Sequence, residues 1–488
     1  MPGFGSILSI ARTAIAAQQT AVQVVSQNVA NAETEGYSRQ RAELVAATPQ
    51  RFGFGSLGTG VQVQNVVRLR DAFLDNNYRT EAANAEGFGL RRDVLSQVEG
   101  IFGEPSDQSL SSSLDAFWAS WSDLANNPGT PSAQAVVRQR GIEVASTLNR
   151  FASRLNDLEA TNRSRLSSTV DEVNRLGGQL AELNGQITAA EVGGTMAPDL
   201  RDARDRIADQ LAKLGGARMM EQSNGTMSFV IGGVTVVDGS SARTIEVRPG
   251  NPTAIGLVGA TDPLPPSTGT LGAMATLLNV DIPDIRAKLD GLAQGLVNGV
   301  NFLHTSGWTA AGDALGNANW NVATPPTGSR VNFFNPANVT AASVGLSAEV
   351  TASAAVIASG STQNAPGDNA LALSIGSLRN TTGIASLQTA MGAAAFAAQV
   401  GLTGGATYND AYRTTVTNVG LQVRAADSSA TVYETLTNQA DTRRSSVNGV
   451  SIDEELTLLM RYQQGFQAAS RLVNVADEMM QTLLTMAT

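Results

Sequence analysis

The last stretch of the chain, Ser451 to Met486, limits the possible folds more than any other. Ile452, Leu459, Phe466, Val473 and Met480 recur every seven residues. Tyr462, Ala469, Ala476 and Leu483 fill a second position, three residues after Leu459, Phe466, Val473 and Met480 in turn. An apolar a/d stripe held for about four heptads without a proline predicts one long helix with a coiled-coil seam. Ser451 followed by Glu454 reads as a capping box at its start, with Glu454 and Glu455 placing negative charge at the dipole's positive end. A seam at the end of a chain cannot bury itself, so this helix requires a partner.

The opposite end of the chain supplies one. Ser6 is placed to cap a helix whose stripe is Leu8, Ala11, Ile15, Val22, Val25 and Val29, with Gln18 as its polar member. The stripe is thin and alanine-rich, so the helix is marginal alone in water. Against the bulkier C-terminal seam its small residues allow a close approach of the two axes. Heptad helices at both termini, around a middle of different composition, predict a chain whose ends pair.

The first helix runs into Asn28, Asn31, Thr34, Gly36 and Tyr37-Ser38-Arg39-Gln40, where asparagines and a glycine end it and an extended segment follows. This asparagine-rich end leading into Thr-x-Gly-Tyr resembles the N-terminal signature of bacterial flagellar axial proteins (rod, hook and hook-associated). Asp453-Glu454-Glu455-Leu456, Arg461-Tyr462-Gln463-Gln464 and Phe466-Gln467-Ala468-Ala469 resemble that family's other end. Within it, Tyr37-Ser38-Arg39-Gln40, the run from Arg461 to Gln464 and the length are most similar to the first hook-associated family, at the hook–filament junction.

Bulk properties narrow the alternatives. Across 488 residues the net charge is −10 and the pI about 4.8, which argues against nucleic acid or an anionic membrane surface as partner. With no cysteine, disulfides, thiolate metal sites and cysteine nucleophiles are excluded. No run approaches the ~18 apolar residues of a membrane span. Met1 to Ser6 lacks the basic and apolar regions of a secretory signal, which alone reads as cytoplasmic. The resemblance implies instead an extracellular place on the flagellum, reached by type III export without a cleaved signal.

Along the chain, Gln50 to Gly60 is a glycine-rich connector. Gly53-x-Gly55-x-x-Gly58 copies the dinucleotide fingerprint by letter, but a strand pattern from Val61 to Val66 follows where a helix is required. Helical spacing covers Asp71–Glu99, Leu110–Ala125 and Ser132 to about Glu191, with Gly177-Gly178 expected to break or kink the last. Trp118 and Trp121 read as core. Met227–Ile231, Val234–Val237 and Thr244–Arg248 are short apolar runs split by Gly232-Gly233 and Asp238-Gly239, which are hairpin signals. Pro263, Pro265 and Pro266 close this segment as a loop. Helical spacing returns over 271–303, Ala370–Arg379 and Tyr408–Val447. The expected fold is mainly α with an inserted β domain (α+β), elongated and nested. Its expected units are 1–60 with 447–488 as terminal coiled coil, 61–214 with 271–306 and 369–446 as helical rod, 215–270 as β insertion, and 307–368 as a loop-rich insertion.

The residues hold little chemistry. His304 is the only histidine and reads as a cation at a helix C-terminus. Asp199, Asp202, Asp205 and Asp209, interleaved with Arg201, Arg204 and Arg206, read as a solvated, salt-bridged helix face rather than as metal ligands. No catalytic, cofactor or metal residue is assigned. The expected function is a structural subunit assembling through its terminal seams. The resemblance implies the hook protein, the next hook-associated protein and a cytoplasmic export chaperone as partners. A rod or hook protein is the alternative within this class. A helical enzyme or ligand-binding receptor dimerising through its ends is the alternative outside it.

Overall fold

A computed structural model describes residues 4–487 apart from 53–54, 105, 107–108, 217, 223, 310–330, 363–364 and 381–406. The first helix, α1 (Phe4–Ala30), begins before Ser6, which therefore lies inside it and is not its cap. It leads into β1 (Gln40–Ala46), which pairs antiparallel with β4 (Val61–Arg68). Between them β2 (Gln50–Phe52) and β3 (Gly55–Leu57) pair antiparallel, so the glycine-rich stretch carries two short strands of its own. β4 packs on α1 as well as on β1.

Three long helices follow where apolar periodicity and caps place them. In α2 (Ala72–Phe102) the Asp71 carboxylate accepts the Phe73 and Leu74 N–H groups, and Gly103 closes the helix at φ 58. Ser109 caps α3 (Leu110–Asn126), and Pro131 starts α4 (Pro131–Ala190). The 60 residues of α4 run without a break through Gly177 and Gly178. At 1.5 Å per residue it spans about 90 Å. The expected break is absent, and a Cβ added at Gly177 would lie in ordinary contact with Val237. The helical row closes with α5 (Pro198–Gly215).

The inserted β segment holds β5 (Arg218–Glu221), β6 (Met227–Ile231), β7 (Val234–Asp238) and β8 (Ser241–Ala242) as one antiparallel sheet. A second sheet has the order β11-β10-β9, from β9 (Ile245–Arg248), β10 (Ala254–Leu257) and β11 (Pro263–Leu264). The proline segment thus carries a short edge strand where a loop was expected, a position that spares the missing proline N–H. Then α6 (Gly269–Thr276) passes through a π-turn (Leu277–Asp281) into α7 (Ile282–His304). Within 307–368 the described part has one short α-helix, α8 (Ala348–Ala352), a single 3-10 turn (Ala354–Val356) and isolated bridges such as Phe334 with Leu346, while 310–330 lies outside the described residues. It is followed by α9 (Ala370–Ser377), α10 (Tyr408–Asn448) and α11 (Ile452–Ala487). A capping box between Thr407 and Asp410 starts α10.

The pairing is nested: α11 lies on α1, and α10 on α2, with α3 against α4 inside. Of the described residues 66% are helical, with small sheets inserted. One core runs through the helical middle, where Phe117, Trp118, Trp121, Phe333 and Phe334 are buried in mutual contact. The two tryptophans are core residues, as their spacing suggests.

Candidate functional site

The terminal pair is antiparallel. Asn28 donates to Glu455 at 2.9 Å, while Gln18, ten residues back along α1, lies over Gly465, ten residues on along α11. Any Cβ at 465 would fall 2.9 Å from the Gln18 side chain, so this glycine is the notch that admits the seam's polar member. Of the expected seam, Ala11, Val25, Ala469 and Ala476 are buried, and Leu8, Ile15, Val22, Val29, Leu459, Tyr462, Phe466 and Val473 half-buried. Ile452 and Met480 are exposed, and the Leu483 side chain lies outside the described ones. Single-seam reasoning missed Ala17, Ala21 and Val24, all buried. They belong to a second contact face, because α1 is clasped by α11 on one side and the β1–β4 pair on the other. Their own three- and four-residue spacing was the available signal.

At the foot of this pair the motif residues build a buried polar junction. Asn28 uses both ends of its amide: Nδ2 donates to the Gln40 carbonyl (2.8 Å) and Glu455, and Oδ1 accepts from the Gln40 N–H and the Tyr37 hydroxyl (2.9 Å each). Burial, then Asp199, Asp202 and Glu455, push the Tyr37 hydroxyl well above its ordinary pKa, so it stays protonated and a donor. Arg39 reaches Glu455 through Nε (2.7 Å) and Glu454 through Nη1 (2.6 Å). The two glutamates thus serve as acceptors for Arg39 beyond any capping or dipole role. Asn31 and Thr34 shape the turn locally, Thr34 donating to Asn31 through both its N–H and its hydroxyl. Gly36 sits at φ 76 under Arg206, whose side chain would lie 2.6 Å from a Cβ there. Arg461, Gln463 and Gln464 are exposed on α11 and take no part in the junction.

The charged face of α5 completes the site, and here the solvated reading is overturned. Asp202, Arg204 and Asp205 are all buried. Their partners come from other elements, which spacing along α5 cannot reveal. Asp202 accepts from the Ser38 N–H (3.0 Å), the Ser38 hydroxyl (2.6 Å) and Arg68 (2.7 Å). Asp205 meets Arg68 at 2.8 Å, with Arg70 and Arg79 at 3.3 Å each. Asp209 joins Arg79 to Arg444 of α10, whose guanidinium lies over the Tyr78 ring. Asp199 accepts from Gln40. Burial disfavours the charged form of Asp205, but Arg70, Arg68 and Arg79 outweigh it and hold its carboxyl below the usual range. Carboxylates committed to arginines in this way are poor cation ligands, and no metal-binding group of side chains occurs among the described residues.

His304 is also corrected: it is not a cation at a helix end but a buried neutral bridge. Its Nδ1–H donates to the Val331 carbonyl (2.9 Å), and Nε2 accepts the Ala358 N–H (3.1 Å). Burial lowers its pKa to about 4, against a smaller opposing effect of the Val331 bond. No helix among the described residues is long and apolar enough to cross a membrane.

Comparison with known proteins agrees with this geometry. The model described as "Flagellar hook-associated protein FlgK helical domain" matches residues 95–318. "Flagella basal body rod protein" matches 8–37, and "Flagellar basal body rod FlgEFG protein C-terminal" matches 445–486. Flagellar hook-associated protein 1 of Bacillus subtilis is 29% identical over 98% of this chain and 97% of its own. Those of Salmonella typhimurium and Escherichia coli are 27% and 24% identical, over 98% of this chain and 99% of theirs. The fold is similar to that of the flagellar hook junction protein FlgK from Burkholderia pseudomallei, at a TM-score of 0.61 and 15% identity, covering 76% of this chain and all of that one. The class these matches define is the axial proteins of the bacterial flagellum. Within it, the chain is similar over nearly its whole length to proteins named flagellar hook-associated protein 1.

Proposed function

We propose that this chain is a structural subunit of the bacterial flagellum, forming the junction between hook and filament by self-association through its terminal helices. The observation that carries this reading is the end-to-end match to proteins named for hook association, over 98% of the chain. Its neighbours are the hook protein on the cell side, the next hook-associated protein on the distal side, and further copies of itself around the axis. A cytoplasmic chaperone covers α11 until export, which uses the flagellar type III route without a cleaved signal, and the working location is extracellular. The function is assembly and uses no catalytic residue.

Exposed apolar groups beside the seam support this role. Leu472, Val475 and Met479 are 47%, 50% and 46% exposed on α11, apolar area that association would remove from water. The test is direct. Purified protein is added to isolated hooks, followed by the remaining junction and filament subunits. Binding at hook tips and filament growth from them are expected, and hooks that remain bare at saturating protein overturn the reading.

A further inference from the structure

Two apolar clusters of the described residues share no side chain. One fills the helical middle from Leu90 to Ala426. The other is small: Ala21, Val24 and Ala42, packed against Leu44, Val63, Val66 and Tyr462. Between them the contacts are ionic or hydrogen-bonded, with Asp199, Asp202 and Asp205 of α5 facing Gln40, Ser38, Arg68 and Arg70. The chain crosses this boundary at two short connections, Leu69–Asp71 and Gly449–Ser451. A cavity of about 210 Å³ opens beside it, lined by Arg68, Arg70, Asp75, Arg79 and Asp205 among others.

An apolar interface is held by the exclusion of water and is insensitive to ions. A boundary made of charges behaves differently. It fixes orientation sharply while every pair is made, and loses that hold when one partner is removed or neutralised. We propose that the terminal helix pair and the helical middle form a latched hinge. The two connections are its pivots and the carboxylate face of α5 is its catch. Asp202 is the central tooth, since its closest partners, Ser38 and Arg68, lie on the terminal side of the boundary, while Arg70 stands in the connection itself. Releasing it lets the pair swing without unfolding either body. This arrangement is independent of what the helix pair binds.

The chain has no cysteine, so two introduced ones can be labelled uniquely. Gln23→Cys on α1 and Ser167→Cys on α4, both exposed, place a spin label on each body. The otherwise unaltered chain gives one narrow distance distribution. Adding Asp202→Asn at least doubles its width, with helix content and the thermal midpoint of the middle retained. Ser38→Ala, which removes a single hydroxyl, gives a smaller broadening and serves if Asp202→Asn does not fold. A distribution as narrow as the parent's in a folded Asp202→Asn chain, or in Ser38→Ala where that is the only folded variant, overturns the hinge.

Discussion

His304 couples two backbone groups through one ring, and its burial makes that coupling depend on pH. In the folded chain it stays neutral down to about 4, whereas the unfolded chain takes up a proton near the ordinary 6.5. Its contribution to stability is therefore complete above about 6.5 and lost as pH falls toward about 4, on the order of 3 kcal/mol in all. His304→Gln should cost about 1 kcal/mol at neutral pH, for one bridging bond made less well. It should also flatten the acid limb of stability relative to the parent. Urea unfolding at pH 7 and pH 4.5 checks this, and parallel acid limbs in the two proteins count against it. Only half of this was legible in the sequence. A lone histidine after an apolar helix face marked a helix end, but the burial that keeps it neutral and the Val331 and Ala358 groups it bridges come from far along the chain. The α5 aspartates failed the same way. Asp and Arg three and four apart look alike on a solvated face and on one that Ser38, Arg68 and Arg444 approach from elsewhere.

Among the elements, helices with their own caps and periodic apolar faces were readable to within a few residues. The boundaries of α2, α3 and α4 follow from Asp71, Ser109 and Pro131, which act locally. What could not be read was how many faces a helix buries, as the second contact side of α1 shows. The pairing of α1 with α11 rests on small residues, so one added side chain should disturb it. Gly465→Leu would drive a branched side chain into Gln18, where even a Cβ is 2.9 Å from its nearest neighbour. Overpacking of this kind costs about 1–3 kcal/mol. The loss should fall on the terminal pair alone, since the large cluster of the helical middle contains no residue of either helix. Hydrogen exchange resolved by segment should show α1 and α11 losing protection while α3 and α4 keep theirs. Equal losses in all four would mean that the chain unfolds as one body.

For the whole molecule, the proposed function gives the large apolar core the task of staying folded and the small terminal cluster that of assembling. Phe466 separates them experimentally. It is half-buried in the seam one turn from Tyr462, which packs on the terminal cluster, and it takes no part in the core of the middle. Full burial of a phenylalanine is worth roughly 2–3 kcal/mol, of which the isolated chain realises only part. Assembly would complete that burial. A glutamate there forfeits the gain and adds an unpaired charge to a surface that must lose its water. The penalty recurs in every subunit around the axis. Phe466→Glu should therefore leave the thermal unfolding of the helical middle close to that of the parent and abolish co-sedimentation with isolated hooks. The outcomes diagnose different faults. Normal co-sedimentation would place the assembly surface elsewhere than the seam. A large fall in the unfolding temperature of the middle would show that the two clusters are coupled after all.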